Sequence, residues 1–113
     1  IVLHVNFLKY IQSVSDGLKS EACGYITEKK IVFLKNISKY GNITFLADPS
    51  SLLKDFRAIR YIFHSHPEGT AELSEADFSV AQEIKCPTIV YSVQEKQFSI
   101  YNPKNTSLIY FSI

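Results

Sequence analysis

The 113-residue sequence contains no methionine and opens on Ile1, which leads to the expectation of a fragment or processed piece of a longer protein, with a second domain missing. No apolar run approaches the ~18 residues needed to span a bilayer, and no charged-then-apolar leader opens the chain. A membrane span is therefore not expected, and a cytoplasmic location is. An excess of one charge is also lacking: 12 basic and 11 acidic residues leave a net charge of +1. With no basic run interleaved with aromatics, nucleic acid is not expected as a partner. Low-complexity tracts and internal repeats are absent, which argues against an array or a disordered chain. Cysteine is scarce. Cys23 and Cys86 lie within or beside apolar segments, without metal-type spacing to each other, and buried free thiols are expected rather than a disulfide. Glycosylation-type triplets begin at Asn36, Asn42 and Asn105; in a chain without an export signal they are read as chance.

What remains is an ordinary globular composition, 46% hydrophobic and 20% charged, enough for one domain with a single core over residues 1–113. From His4 to Val14, apolar residues recur mostly at three- and four-residue steps and predict an amphipathic helix, ended by Asp16-Gly17. Ala22 to Ile26 and Ile31 to Leu34 read as a hairpin. Lys35 to Asn42 reads as a loop, Ile43 to Leu46 as a short strand, and Pro49-Ser50-Ser51 as a helix start with Leu52, Leu53 and Phe56 on its apolar side. Asp48, just before Pro49, reads as a turn or cap residue. A strand from Ala58 to His66 follows, then a loop from Pro67 to Leu73. Ser74 has the character of an N-cap for a helix ending near Lys85. Pro87 to Val93 forms a strand, Glu95-Lys96 a turn, and Phe98, Ile100 and Leu108 to Ile113 the last strands. The expected class is α+β, a mixed β-sheet flanked by helices.

The chemistry concentrates in Tyr61 to Asp77, YIFHSHPEGTAELSEAD. Residues i and i+2 of a strand share a face, so His64 and His66 project together while Phe63 and Ser65 point the other way. Taken singly, each feature has a bland reading. Two alternating histidines occur as half-exposed strand residues, and Ser74 with Asp77 makes a capping box of the Ser-x-x-Asp type. Their joint spacing says more. Only Pro67 to Leu73 joins the strand end to the helix start, so Asp77, in the first helical turn, can offer an oxygen to an ion held by both imidazoles at about 2.0–2.2 Å. Two histidines and a carboxylate are three ligands; catalytic zinc sites use three and keep a fourth position for water.

With these residues in view, the chain resembles the JAMM/MPN+ (Mov34/PAD-1) zinc metalloprotease family. That family's pattern is an upstream glutamate, then His-x-His, seven residues beginning with proline, serine, two residues and aspartate. Glu21, His64, His66, Pro67, Ser74 and Asp77 match it without a gap, and Cys23-Gly24 beside the glutamate is familiar as well. The likeness runs over nearly the whole chain and looks strongest to the domain that opens phage tail-tip assembly proteins of the lambda K type, which usually continue into a cell-wall peptidase domain. The resemblance implies a cytidine-deaminase-like JAMM/MPN fold and one Zn2+ ion held by His64, His66 and Asp77. It implies that Glu21 takes a proton from the zinc-bound water and that Ser74 hydrogen-bonds the developing oxyanion or the water. Glu68, Glu72 and Glu75 fall outside the pattern and are expected to be solvated, although Glu72 is placed to meet a substrate's amino group. Pro67 and Gly69 are assigned to the shape of the turn, and a pocket-lining place is open to Cys23.

The leading expectation is a zinc-dependent peptidase or isopeptidase acting on a protein or peptide, without a covalent intermediate. If phage-encoded, it works in the host cytoplasm during assembly and in the virion tail, with tail-tip proteins as partners. The rival is a structural zinc-containing tail module without turnover. Removal of ubiquitin-like modifiers ranks lower, because 42 residues between Glu21 and His64 and a direct passage from the last helix to Pro87 leave little room for gripping loops. Cleavage of a cell-wall peptide crosslink is weakened by the second domain that usually carries that task.

Overall fold

The structure is a computed structural model, and it describes residue 3, residues 5–34 and residues 55–113. The expected loop at Lys35 to Asn42, the strand at Ile43 to Leu46, the helix start at Pro49 and the turn residue Asp48 lie outside the described residues. Helix α1 spans Val5–Asp16 and turns Leu8 and Ile11 inward. Strands β1, Cys23–Ile26, and β2, Ile31–Leu34, form the expected antiparallel hairpin. After a 3₁₀ turn at Phe56–Ala58 comes β3, Tyr61–His66, and then α2, Glu75–Ile84. Strands β4, Thr88–Ser92, β5, Gln97–Asn102, and β6, Ser107–Phe111, complete the order.

The six described strands lie in the order β2-β1-β3-β4-β5-β6. Among them only β3 and β4 run parallel, with His64 beside Val90 and His66 beside Ser92. A parallel pair needs a crossover rather than a tight turn, and here the crossover is the Pro67–Leu73 loop with α2. The sheet is thus mixed and the class α+β, as expected. One boundary differs. The strand expected from Ala58 begins only at Tyr61, because Tyr61 is the last residue with a ladder partner, Ile26; Ala58 and Phe56 belong to the 3₁₀ turn instead.

Side chains alternate between the sheet's faces. On one, Leu8 and Ile11 of α1 pack on Ile26, Phe63, Ile89, Tyr91 and Phe98. On the other, Phe78 and Ala81 of α2 pack with Leu73, Val90 and Tyr101, while Val80 covers Tyr25, Ile62 and Cys86. Each fully buried large apolar side chain stabilises the fold by about 1.5–3 kcal/mol. At Gly24 an added Cβ would collide with the Val32 carbonyl oxygen of β2 and lie 2.6 Å from Phe63 Cζ of β3, so a side chain there would push against fixed backbone. Both cysteines are buried and free, and burial pushes each thiol up to about 11, Glu21 adding to the effect at Cys23. Among the described residues no helix is long and apolar enough to cross a membrane.

Candidate metal centre

His64 and His66 lie in the last three residues of β3, on the face that α2 covers. Their rings meet edge to face, 62° apart, at a centroid separation of 5.0 Å, on one side of the strand as its alternation requires. His64 is buried and His66 half-buried. The carboxylate of Glu21, in the segment just before β1, arrives from the neighbouring strand, since Cys23 pairs with His64. Glu21 Oε2 lies 3.3 Å from His64 Nδ1. Ligand atoms of Glu21, His64 and His66 all fall within 4.8 Å of one another, a cluster that could hold a metal ion.

Asp77 enters from α2. Ser74 caps that helix as expected: its Oγ accepts from Asp77 N at 3.2 Å, and Ser74 N donates to Asp77 Oδ2 at 2.8 Å. This reciprocal box satisfies two helix-end donors and also fixes the Asp77 carboxylate, whose Oδ1 is 2.8 Å from His64 Nε2 and whose Oδ2 is 3.8 Å from His66 Nε2. The Nε2 atoms of both imidazoles are therefore turned toward Asp77. For His66 the tautomer has a cause, because Nδ1–H donates a hydrogen bond to the Thr70 carbonyl at 2.8 Å, which leaves the lone pair on Nε2.

The electrostatics follow from four polar groups in a small buried volume. Burial on its own would lower the pKa of His64, but the hydrogen bonds and charges of Asp77 and Glu21 outweigh it and push the imidazole up to about 9. Burial likewise works against the Asp77 carboxylate, yet His64 and the Ser74 contacts hold it below the ordinary carboxylate value. A cation is what this arrangement favours. A proton on His64 meets that need in part, but Glu21 Oε1 stays buried with no hydrogen-bond partner among the described residues. A buried, unsatisfied carboxylate oxygen is costly. The donor set, two imidazoles and two carboxylates, suits a divalent metal such as zinc, so these residues fit the implied ion.

The structure brings Glu21, His64, His66 and Asp77 together and places Ser74 on Asp77. It leaves Glu68, Glu72 and Glu75 exposed, as expected. Cys23 is fully buried with its Sγ 3.7 Å from the Leu34 carbonyl. Two contributors were not foreseen. The Thr70 carbonyl could not have been, since a backbone oxygen carries no residue signature. Ser65 points away from the histidines, and its hydroxyl accepts from Ala22 N at 2.9 Å, a contact that the alternation of a strand does not announce. The connecting loop that brings α2 back to the site is itself pinned. Gly69 takes φ +92°, Ser92 Oγ donates to the Gly69 carbonyl at 2.7 Å, and Ser99 Oγ donates to that of Ala71.

No protein-family model matches the chain, and no curated protein is similar to it at a significant level. Among solved structures, it is similar to protein DSY2949 from Desulfitobacterium hafniense, determined in solution. The two are 20% identical with a TM-score of 0.67, and the match covers 94% of this chain and 86% of that one. At that identity the likeness is one of fold alone.

Proposed function

We propose that the chain is a zinc-dependent metallopeptidase or isopeptidase domain of the JAMM/MPN+ type, which hydrolyses an amide bond by direct attack of water. The observation that carries this reading is the convergence of Glu21, His64 and His66 within 4.8 Å, with Asp77 reaching both imidazoles. On this reading the mixed sheet with a helix on each face is a JAMM/MPN, cytidine-deaminase-like fold, and His64, His66 and Asp77 hold one zinc ion. Bound zinc supplies Lewis acidity toward the scissile carbonyl and lowers the pKa of water toward neutrality.

The remaining work belongs to the chain's own groups. Glu21, with one oxygen directed at His64 and the other unpartnered, accepts a proton from the attacking water and delivers it to the leaving amine nitrogen, so the carboxylate ends as it began. Ser74 Oγ accepts from Asp77 N, which leaves its own O–H to donate to the carbonyl oxygen as negative charge grows there. The Thr70 carbonyl and the Ser74 cap keep His66 and Asp77 aimed, the outer contacts on which ligand geometry depends. The substrate is a protein or peptide. The wording HSHPEGTAELSEAD supports placing the domain in a phage tail-tip assembly protein, with tail-tip proteins as partners.

The test is metal content together with cleavage of tail-protein precursors and cell-wall peptides by the parent and by Glu21→Gln. One zinc per chain is expected in both proteins, with hydrolysis reduced about 10²–10⁴-fold in the variant. Zinc in both without any cleavage that separates them would favour the structural module, and normal zinc uptake by His64→Ala would overturn the ligand assignment.

A further inference from the structure

We propose that Ser65, the residue between the two histidines, is a positioning residue that sets the place of the Glu21 carboxylate; its bearing on catalysis rests on the reading of Glu21 as the base. Ser65 is fully buried. It holds both polar groups of Ala22, the neighbour of Glu21: the Ser65 backbone N–H donates to the Ala22 carbonyl at 2.8 Å, and the Ser65 hydroxyl accepts from Ala22 N at 2.9 Å.

The geometry departs from a regular ladder in one respect. Cys23 pairs with His64, so continuing the antiparallel register would set Ala22 opposite Ser65 and Glu21 opposite His66. Residues facing each other in such a hydrogen-bonded pair exchange two backbone bonds. Here one of the two is replaced by a side-chain oxygen, and β1 begins only at Cys23. The hydroxyl thus ends the ladder while still anchoring the chain. Beyond it, the Glu21 carboxylate turns to His64 Nδ1, 3.3 Å away, rather than running on as a strand residue. Phe63 and Tyr61, the other residues of β3 on the face away from the histidines, pack with the apolar core. An apolar residue at position 65 would fill the same space but leave the Ala22 N–H buried and unpaired. The backbone beside Glu21 would then move to find another acceptor, and a shift of about 1 Å in a catalytic group costs about 10²-fold in rate.

The test uses the full chain, isotope-labelled and metal-free, as parent, Ser65→Ala and Ser65→Thr. In Ser65→Ala the Ala22 amide should exchange with solvent about tenfold or more faster, as expected for loss of a buried acceptor. The amides of β4 should stay within about twofold of the parent, since distant sites respond independently. The Glu21 carboxyl resonance should move toward that of an exposed glutamate. Threonine, which keeps the hydroxyl on a strand-compatible side chain, should restore both signals. Zn2+ alone should bind to all three within about twofold, because none of the ligands has been removed. An unchanged Ala22 exchange rate and Glu21 resonance in Ser65→Ala would overturn the proposal. So would a loss of protection spread equally over β4, or a folded Ser65→Thr that behaves like alanine. If the parent itself takes up no Zn2+, the metal reading of the site falls, whereas the anchoring of Glu21 by Ser65 is still decided by the Ala22 and Glu21 signals.

Discussion

A metal ion at the proposed site would compete with a proton for His64. In the metal-free protein its pKa is raised from 6.5 to about 9. The stability this lends is fully present below about 6.5 and lost as pH rises through about 9. Asp77, whose folded value is depressed, contributes above its ordinary 3.8 and loses that contribution as pH falls through the lowered value. Metal-free stability should therefore hold between the carboxylate range and neutrality and decline toward pH 9, measured as a urea midpoint against pH. Zinc needs the neutral imidazole, so uptake at pH 7 should release about one proton, seen as a binding enthalpy that varies with the ionisation enthalpy of the buffer. How legible the site was at this scale depended on sequence distance. His64 and His66 were readable because a strand repeats every two residues, and Asp77 because a short loop and a cap fix where a helix begins. No local rule ties Glu21 to a histidine 43 positions later; only the composite motif pointed to it. Ser65 and the Thr70 carbonyl act through single hydrogen bonds to backbone or ring nitrogens, which leave no periodicity to read.

At the scale of the element, α2 shows how one helix serves packing and site together. Its N-terminal cap aims Asp77, and its C-terminal end carries an avoidable cost: Lys85 sits at φ 55°, ψ 43°, the left-handed region, while its N–H still reaches the Ala81 carbonyl. That conformation costs a residue with a Cβ about 1–2 kcal/mol, part of which glycine returns as flexibility of the unfolded chain. Lys85→Gly should therefore stabilise the protein by up to about 1 kcal/mol, read as a higher urea midpoint with zinc content unchanged. The helices and hairpins were foreseeable because their signals are local: three- and four-residue spacing over α1, Ser74 before α2, and β-branched and aromatic runs for β4 to β6. The start of β3 was not. Ala58 and Ile59 are as apolar as the strand they precede, and what excludes them is the end of β1 at Ile26, a partner 35 residues away from Tyr61 in the chain.

For the molecule as a whole, the question is whether a metal would hold the fold or only complete the site. The Cα radius of gyration, 12.7 Å, is that of an ordinary domain of this length, about 13 Å for 100 residues. Apolar clusters fill both faces of the sheet. A core of that kind is expected to fold without the ion, unlike small domains that are unfolded until metal binds. Yet the proposed ligands His64, His66 and Asp77 come from β3 and from the first turn of α2, so an ion bound by the folded state alone would tie the strand to the helix. At a free zinc concentration of 100 times Kd, the gain is about 2.7 kcal/mol. At about 4–8 °C per kcal/mol for a domain of this size, chelation should lower the melting temperature by roughly 10–20 °C. The transition should remain cooperative and the metal-free protein folded at room temperature, as scanning calorimetry would show. Asp77→Ala should start from a lower metal-free melting temperature, because it loses half of the capping box, and should gain almost nothing from zinc. Outright unfolding on chelation would instead mean that the ion holds the strand and helix together, which would shift the balance toward a structural module and away from a hydrolase whose site is assembled before the metal arrives.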